Sequence, residues 1–144
     1  MRNGATNVLK WFSAVYVAAI LVQVFLAGEV IFRIGVIKNS DDCDKTGARC
    51  IANSRTLDAH RGLGTILVLA SILFLVVALV AWHRDRRVRI ASIVAPVVTF
   101  LQIVFAGIGS WAGGLHAVDA FIVLVLFGWL FLRLRSEPGR ASAA

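Results

Sequence analysis

Acidic residues are scarce in this chain. Eight Asp and Glu stand against fifteen Lys and Arg in 144 residues, and charged residues make up only 16%. A water-soluble domain carries nearer a quarter of its residues charged. Proline and cysteine are rarer still, at two each. So few prolines exclude a proline-rich linker, and so few cysteines exclude a disulfide-dense secreted scaffold. What fills the chain instead is apolar: 59% of it is hydrophobic, in long blocks of the kind that span membranes. The net charge of +7 is not a nucleic-acid signature. The basic residues flank the apolar blocks, with no basic recognition helix and no aromatics interleaved on a polar sheet, so nucleic acid is set aside as a partner.

The blocks predict an all-α integral membrane four-helix bundle over residues 1–135, in contact with the lipid bilayer. Its expected spans are 11–32, 57–82, 90–108 and 115–132. The first has the positive start of a signal peptide. Its apolar part is too long for that and no A-x-A site follows, so it reads as a retained helix. Pro96 falls in the first turns of the third span, where proline is tolerated. Glu29 and Arg33 stand at i,i+4 and can pair. Residues 33–56 form the one sizeable loop, and residues 109–114 a tight turn with Trp111 at the interface. Residues 136–144 are polar and small, and are expected to form a disordered cytoplasmic tail.

Charge sets the expected topology. The densest basic cluster, His83-Arg84-Asp85-Arg86-Arg87-Val88-Arg89, lies between the second and third spans, and Arg133 and Arg135 close the fourth. With both termini cytoplasmic, these residues, Arg2, Lys10 and Arg140 lie inside, opposed only by Asp85 and Glu137, and the inside carries the whole +7. The chain is then a multi-pass protein of the cytoplasmic membrane with loop 33–56 external. That loop holds Cys43 and Cys50 around a Gly-containing turn. On an oxidising side they can form a structural disulfide. A redox-active or metal-binding pair is the alternative, although the spacing is too wide for C-x-x-C.

Two stretches look alike. Gln23-Val24-Phe25-Leu26-Ala27-Gly28 precedes His60, and Gln102-Ile103-Val104-Phe105-Ala106-Gly107 precedes His116; both follow Gln-x-x-x-Ala-Gly. Each histidine opens a long apolar run. The chain therefore reads as one helical hairpin used twice in parallel orientation, with the repeat axis along the membrane normal. Such an axis sets His60 and His116 opposite each other at one depth, near the external mouth. Two imidazoles facing across a bundle core suit the axial positions of haem iron, and bis-histidine ligation favours electron transfer. Gly64, Leu67 and Ser71 follow His60 on one face, and Ala120 follows His116, so small residues leave room near the pair. Arg61 and Arg55 are cations available to propionates. Asp119, three residues after His116, either orients the imidazole or moves a proton, or is a helix-start acid favoured by the dipole. His83, about 35 Å along the second helix from His60, belongs to the basic cytoplasmic edge. Gln23 and Gln102 lie mid-span and need partners, either between the odd-numbered helices or on a bound ring or quinone.

With a histidine opening helices two and four and a cysteine pair in the first external loop, the chain resembles one four-helix half of haem A synthase, over almost its whole membrane part. It also resembles small bacterial four-span integral membrane proteins. The resemblance implies a b-type haem held by His60 and His116, and Cys43–Cys50 as the loop disulfide. It also implies, for the active half of that family, a glutamate where this chain has Leu57; Asp58 is one residue off that position.

The function this points to is a haem-b-binding membrane protein. It would act in electron transfer with a membrane redox partner or quinone, or as a haem-modifying oxidoreductase. A half-length chain can also pair with a second copy as a homo-oligomer. The competing expectations are a non-haem metal at the histidines and a cofactor-free structural or accessory protein whose histidines serve as hydrogen-bonding groups. A transporter fits less well, because the candidate intramembrane carboxylates lie near the outer edge.

Overall fold

The computed structural model describes residues 2–37, 55–108 and 113–136. They form four helices: α1 Arg2–Ile37, α2 Arg55–Ala81, α3 Arg86–Ile108 and α4 Gly113–Arg135. All four are long and apolar enough to cross a membrane, over Gly4–Phe32, Leu57–Ala81, Arg86–Ile108 and Gly114–Arg135. The all-α membrane bundle is therefore what the chain forms. The reason is backbone chemistry: hydrocarbon offers no partners, so N–H and C=O groups must satisfy one another within each segment.

Each helix packs on two others. α1 and α3 both lie against α2 and α4. The section is thus a square, with α1 facing α3 along one diagonal and α2 facing α4 along the other. Outward-facing residues are apolar, as contact with a bilayer requires; Ile31 is 72% exposed and Val80 76%.

The centre is aromatic. The Tyr16 ring of α1 stacks on Phe127 of α4 at 3.9 Å between centroids. Phe127 meets Phe74 of α2 edge-on at 5.0 Å, and Phe74 meets Phe12 at 5.3 Å. Such pairs each contribute roughly 0.5–1.5 kcal/mol beyond their burial. Small buried residues, including Ser71, Ala78, Ser92 and Ala95, let the helices close around these rings. Most core hydroxyls bond to backbone carbonyls of their own helix: Ser13 to Leu9 at 2.8 Å, Ser71 to Val68 at 2.7 Å and Thr99 to Ala95 at 2.9 Å. Tyr16 instead donates across to the carbonyl of Leu67 at 2.8 Å and ties α1 to α2.

The helices run beyond the expected spans. α1 starts at Arg2 and continues to Ile37, so the first residues of the expected loop are helical. α3 starts at Arg86, inside the basic cluster. Pro96 is consequently a buried residue of the helix interior and not of its first turns. It supplies no N–H to the carbonyl of Ser92. Cys43, Cys50 and the rest of 38–54, the 109–112 turn with Trp111, and the 137–144 tail lie outside the described residues, as do the side chains of Arg33 and Arg55. The cysteine pairing, the Glu29–Arg33 pair and the tail expectation fall there.

The link between the hairpins is a built turn. α2 ends with Trp82 at φ 35°, a left-handed conformation that glycine usually supplies. The Arg89 guanidinium lies over the Trp82 ring at 4.7 Å from its centroid. Asp85 then caps α3: its Oδ1 accepts from the Arg87 backbone N–H at 2.8 Å. Its Oδ2 accepts from Arg133 Nη2 at 2.8 Å and Nε at 3.2 Å, so one carboxylate joins this turn to the end of α4. Nearby, Phe131 of α4 packs on Trp11 of α1. The ends of α1 and α4 therefore meet at the same end of the bundle as the turn. His83 sits in this turn, where its Nδ1 accepts from the Asp85 N–H at 3.1 Å.

The Arg133 guanidinium beside Asp85 holds its carboxyl below the usual carboxylate range, helped by the Arg87 N–H. The folded state thus prefers the ionised form. The stabilisation is present above the unfolded value of about 3.9 and is lost as pH falls through the lower folded value. The melting temperature of the detergent-solubilised protein should fall on acidification below about pH 4. Asp85→Asn should start lower and lose less over the same window.

Candidate functional site

At the end of the bundle opposite the 82–85 turn, polar side chains from all four helices collect: Gln23 of α1, His60 of α2, Gln102 of α3, and His116 and Asp119 of α4. The helical repeat explains the meeting. His60, Gly64, Leu67 and Ser71 share one face of α2, and His116, Asp119, Val123 and Phe127 share one face of α4. The lower members of both sets are buried in the core: Leu67 is 8% exposed, Ser71 1%, Val123 2% and Phe127 0%. The faces that make the core therefore carry the two histidines inward at its upper edge.

His60 and His116 face each other across the α2–α4 diagonal. Their ring centroids are 6.4 Å apart, with the planes at 72°. Two imidazoles ligating one metal from opposite sides, at metal–nitrogen distances of about 2 Å, have centroids on the order of 6 Å apart. The separation matches that spacing and equally that of an edge-to-face ring contact.

Each histidine is held by the glutamine of its own hairpin, in a different way. The Gln23 amide donates to the backbone carbonyl of His60 at 2.8 Å and lies 3.5 Å from His60 Nε2. On the other side, His116 Nδ1 lies 3.1 Å from the backbone carbonyl of Gln102. A carbonyl only accepts, so His116 donates from Nδ1, and in the neutral ring the lone pair is then on Nε2. A hydrogen bond of this kind from the rear nitrogen orients metal-binding histidines and fixes their tautomer.

Gly64 has a specific role. A Cβ there would stand 3.1 Å from Gln23 Nε2. The room expected beside His60 is used in part by the Gln23 amide.

The glutamines depart from one expectation. Gln23 reaches the adjacent helix α2 rather than bonding between the odd-numbered helices. Asp119 differs too. α4 begins at Gly113, so Asp119 lies beyond the first turn, and it is only 4% exposed. It is a buried intramembrane acid and not a helix-start acid. Arg61 is exposed at the rim, one residue from His60. Ala120 is half-buried. The Arg55 side chain lies outside the described residues.

Four polar atoms at this end are buried without a hydrogen-bond partner of good geometry among the described residues: Gln23 Oε1, His60 Nδ1, Gln102 Nε2 and Asp119 Oδ2, the last two on neighbouring side chains. Buried polar atoms are rarely left unmatched, each costing about 1–3 kcal/mol. Their concentration in one place marks the end as built for something beyond the chain. Among the described residues no group of three or more His, Cys, Asp and Glu could hold a metal ion. A protein-only metal centre asks for three or four such ligands. Two histidines suffice where a macrocycle supplies the rest. The pattern that sequence reasoning missed is the Gln102 carbonyl, which carries no side-chain signal.

The close approach at Gly64 gives a test. Gly64→Leu should destabilise the protein strongly in the parent and much less when Gln23 is alanine. The non-additivity should be on the order of 1 kcal/mol in an SDS unfolding titration in bicelles. Simple additivity would mean that the glycine does not act through the glutamine.

No family model matches the chain, and neither does any curated protein or solved structure.

Proposed function

We propose that this protein binds haem b between His60 and His116 and carries electrons within the cytoplasmic membrane. The observation that supports the reading most is the 6.4 Å separation of the two rings across the bundle diagonal. The Nδ1–H of His116 on the Gln102 carbonyl adds to it, because that hydrogen bond leaves Nε2 free to ligate. Iron with both axial positions taken by imidazole exchanges electrons rather than binding oxygen.

The chain's own residues supply position and environment. His60 and His116 would hold the group from opposite helices. Gln23 and Gln102, on the other diagonal, would stand at its sides. Arg61 at the rim, with Arg55, offers cations for the propionates. The apolar core from Leu67 to Phe127 closes the site from below and excludes water.

The wider reading rests on charge. With both termini inside, the turn at 82–85 is cytoplasmic and the histidine end lies toward the external face, beneath the loop where Cys43 and Cys50 would pair. The likeness to half of haem A synthase supports a b-type haem. Leu57, where the active half of that family has a glutamate, weighs against oxidation of a haem methyl group. Electron carriage with a membrane redox partner is therefore the function we assign.

Absorbance spectroscopy tests this directly. Protein purified after expression with added haem should show a Soret band that sharpens on reduction. His60→Ala and His116→Ala should each abolish it while far-ultraviolet helicity is kept. His116→Met should retain the band with a raised midpoint potential, since methionine ligation favours the reduced iron. A colourless parent protein would sink the haem reading and leave the cofactor-free one, in which the glutamine–histidine contacts only fasten helices together.

A further inference from the structure

The two hairpins satisfy their histidines unequally. The rear nitrogen of His116 has the Gln102 carbonyl, whereas Nδ1 of His60 is buried and has no partner among the described residues. The amide nitrogen of Gln23 faces His60 Nε2, and a ring nitrogen facing an N–H donor accepts. With Nε2 accepting from that amide, the proton of a neutral His60 sits on Nδ1; a metal at Nε2 would have to displace the amide. Gln23 Oε1, an acceptor, is likewise buried without a partner. The α1–α2 side thus holds one unmatched donor and one unmatched acceptor on two side chains in contact.

An apolar groove lies next to them. It encloses about 400 Å³ between α1 and α2, lined among others by Trp11, Tyr16 and Ala19 of α1 and by Leu63, Leu67 and Ala70 of α2. Leu63 and Leu67 follow His60 at i+3 and i+7, and Ala19 and Tyr16 precede Gln23 by four and seven. The groove therefore continues the helix faces that carry His60 and Gln23. Its α1 wall from Val8 to Ala19 runs about 16 Å along the helix at 1.5 Å per residue.

We infer that this face binds an isoprenoid quinone or quinol, its head group between His60 Nδ1 and Gln23 Oε1 and its prenyl chain along the α1–α2 groove. A quinone carbonyl accepts from the His60 N–H, and a quinol hydroxyl donates to the Gln23 oxygen. A phospholipid acyl chain fills the groove equally well but leaves both polar atoms unmatched, so a molecule with a polar head and an apolar chain fits better. The head group reaches these atoms by displacing the Gln23 carboxamide from the space beside Gly64, in exchange for its bond to the His60 carbonyl. The choice of a redox-active head group rests on the haem reading above; the two unmatched atoms and the groove do not.

The test uses the full chain in phosphatidylcholine nanodiscs, with decylubiquinone as the probe and tryptophan emission as the readout. Quenching should saturate. Ala19→Phe, which fills the groove, and Gln23→Leu, which removes the acceptor, should each weaken binding by about tenfold or more, the scale of one lost hydrogen bond or blocked contact. Val125→Phe, on the exposed face of α4 away from the groove, should bind as the parent does, and far-ultraviolet circular dichroism of each variant checks that it folds. Quenching that rises linearly with quinone, or variants that titrate like the parent, would overturn the assignment. The Soret band of the same samples reports separately on haem, so the two readings can fail independently.

Discussion

A polar atom in hydrocarbon has nowhere to turn but to the protein, and this constraint orders the whole bundle. It makes the spanning segments helical, and it sends the hydroxyls of Ser13, Ser71 and Thr99 back to carbonyls of their own helices. At one end of the molecule the constraint is met only in part. Gln23, His60, Gln102 and His116 engage one another in pairs, yet each hairpin leaves polar atoms over. The packing of rings around Tyr16, Phe74 and Phe127 shows that the chain can close its interior tightly elsewhere. Among the described residues, four of the five unmatched side-chain atoms lie at that one end, the fifth being Ser92 Oγ in α3, and functional sites are where such costs are tolerated.

Much of the architecture was legible in the amino acids because the bilayer imposes a coarse rule. A segment either is long and apolar enough or it is not, and all four blocks were. The meeting of His60 and His116, their rings 6.4 Å apart, was legible for a related reason: each follows a Gln-x-x-x-Ala-Gly stretch and opens an apolar run, so like surroundings suggested like positions. Element ends were harder. Gly35 alone does not stop a helix in the run from Arg33 to Ile37, so α1 continues, and the arginines of the 86–89 cluster are good helix formers that α3 takes into its first turn. That shift moved Pro96 into the helix interior.

Side-chain patterns do not display backbone acceptors, which is why the Gln102 carbonyl behind His116 escaped notice. Nor do they display burial depth near a helix start. Asp119 looked like a first-turn acid because the true start at Gly113 carries no strong capping residue. Its burial follows from sharing a face with Val123 and Phe127. The left-handed Trp82 was hidden as well, since glycine is the residue that marks such a position. The Arg89 guanidinium over its indole is a tertiary contact that no local signal announces.

The carboxylate of Asp85 bears on the other end of the molecule. Residues 82–85 are the sole covalent link between the two hairpins, and each hairpin contributes one histidine. A link that short could act as a pivot about which the halves swing, widening or narrowing the gap between the rings. By gripping Arg133 at the far end of α4, Asp85 immobilises that pivot. The one short link between the histidine-bearing halves is thus fastened at the end of the bundle farthest from the imidazoles, by a contact that never touches them.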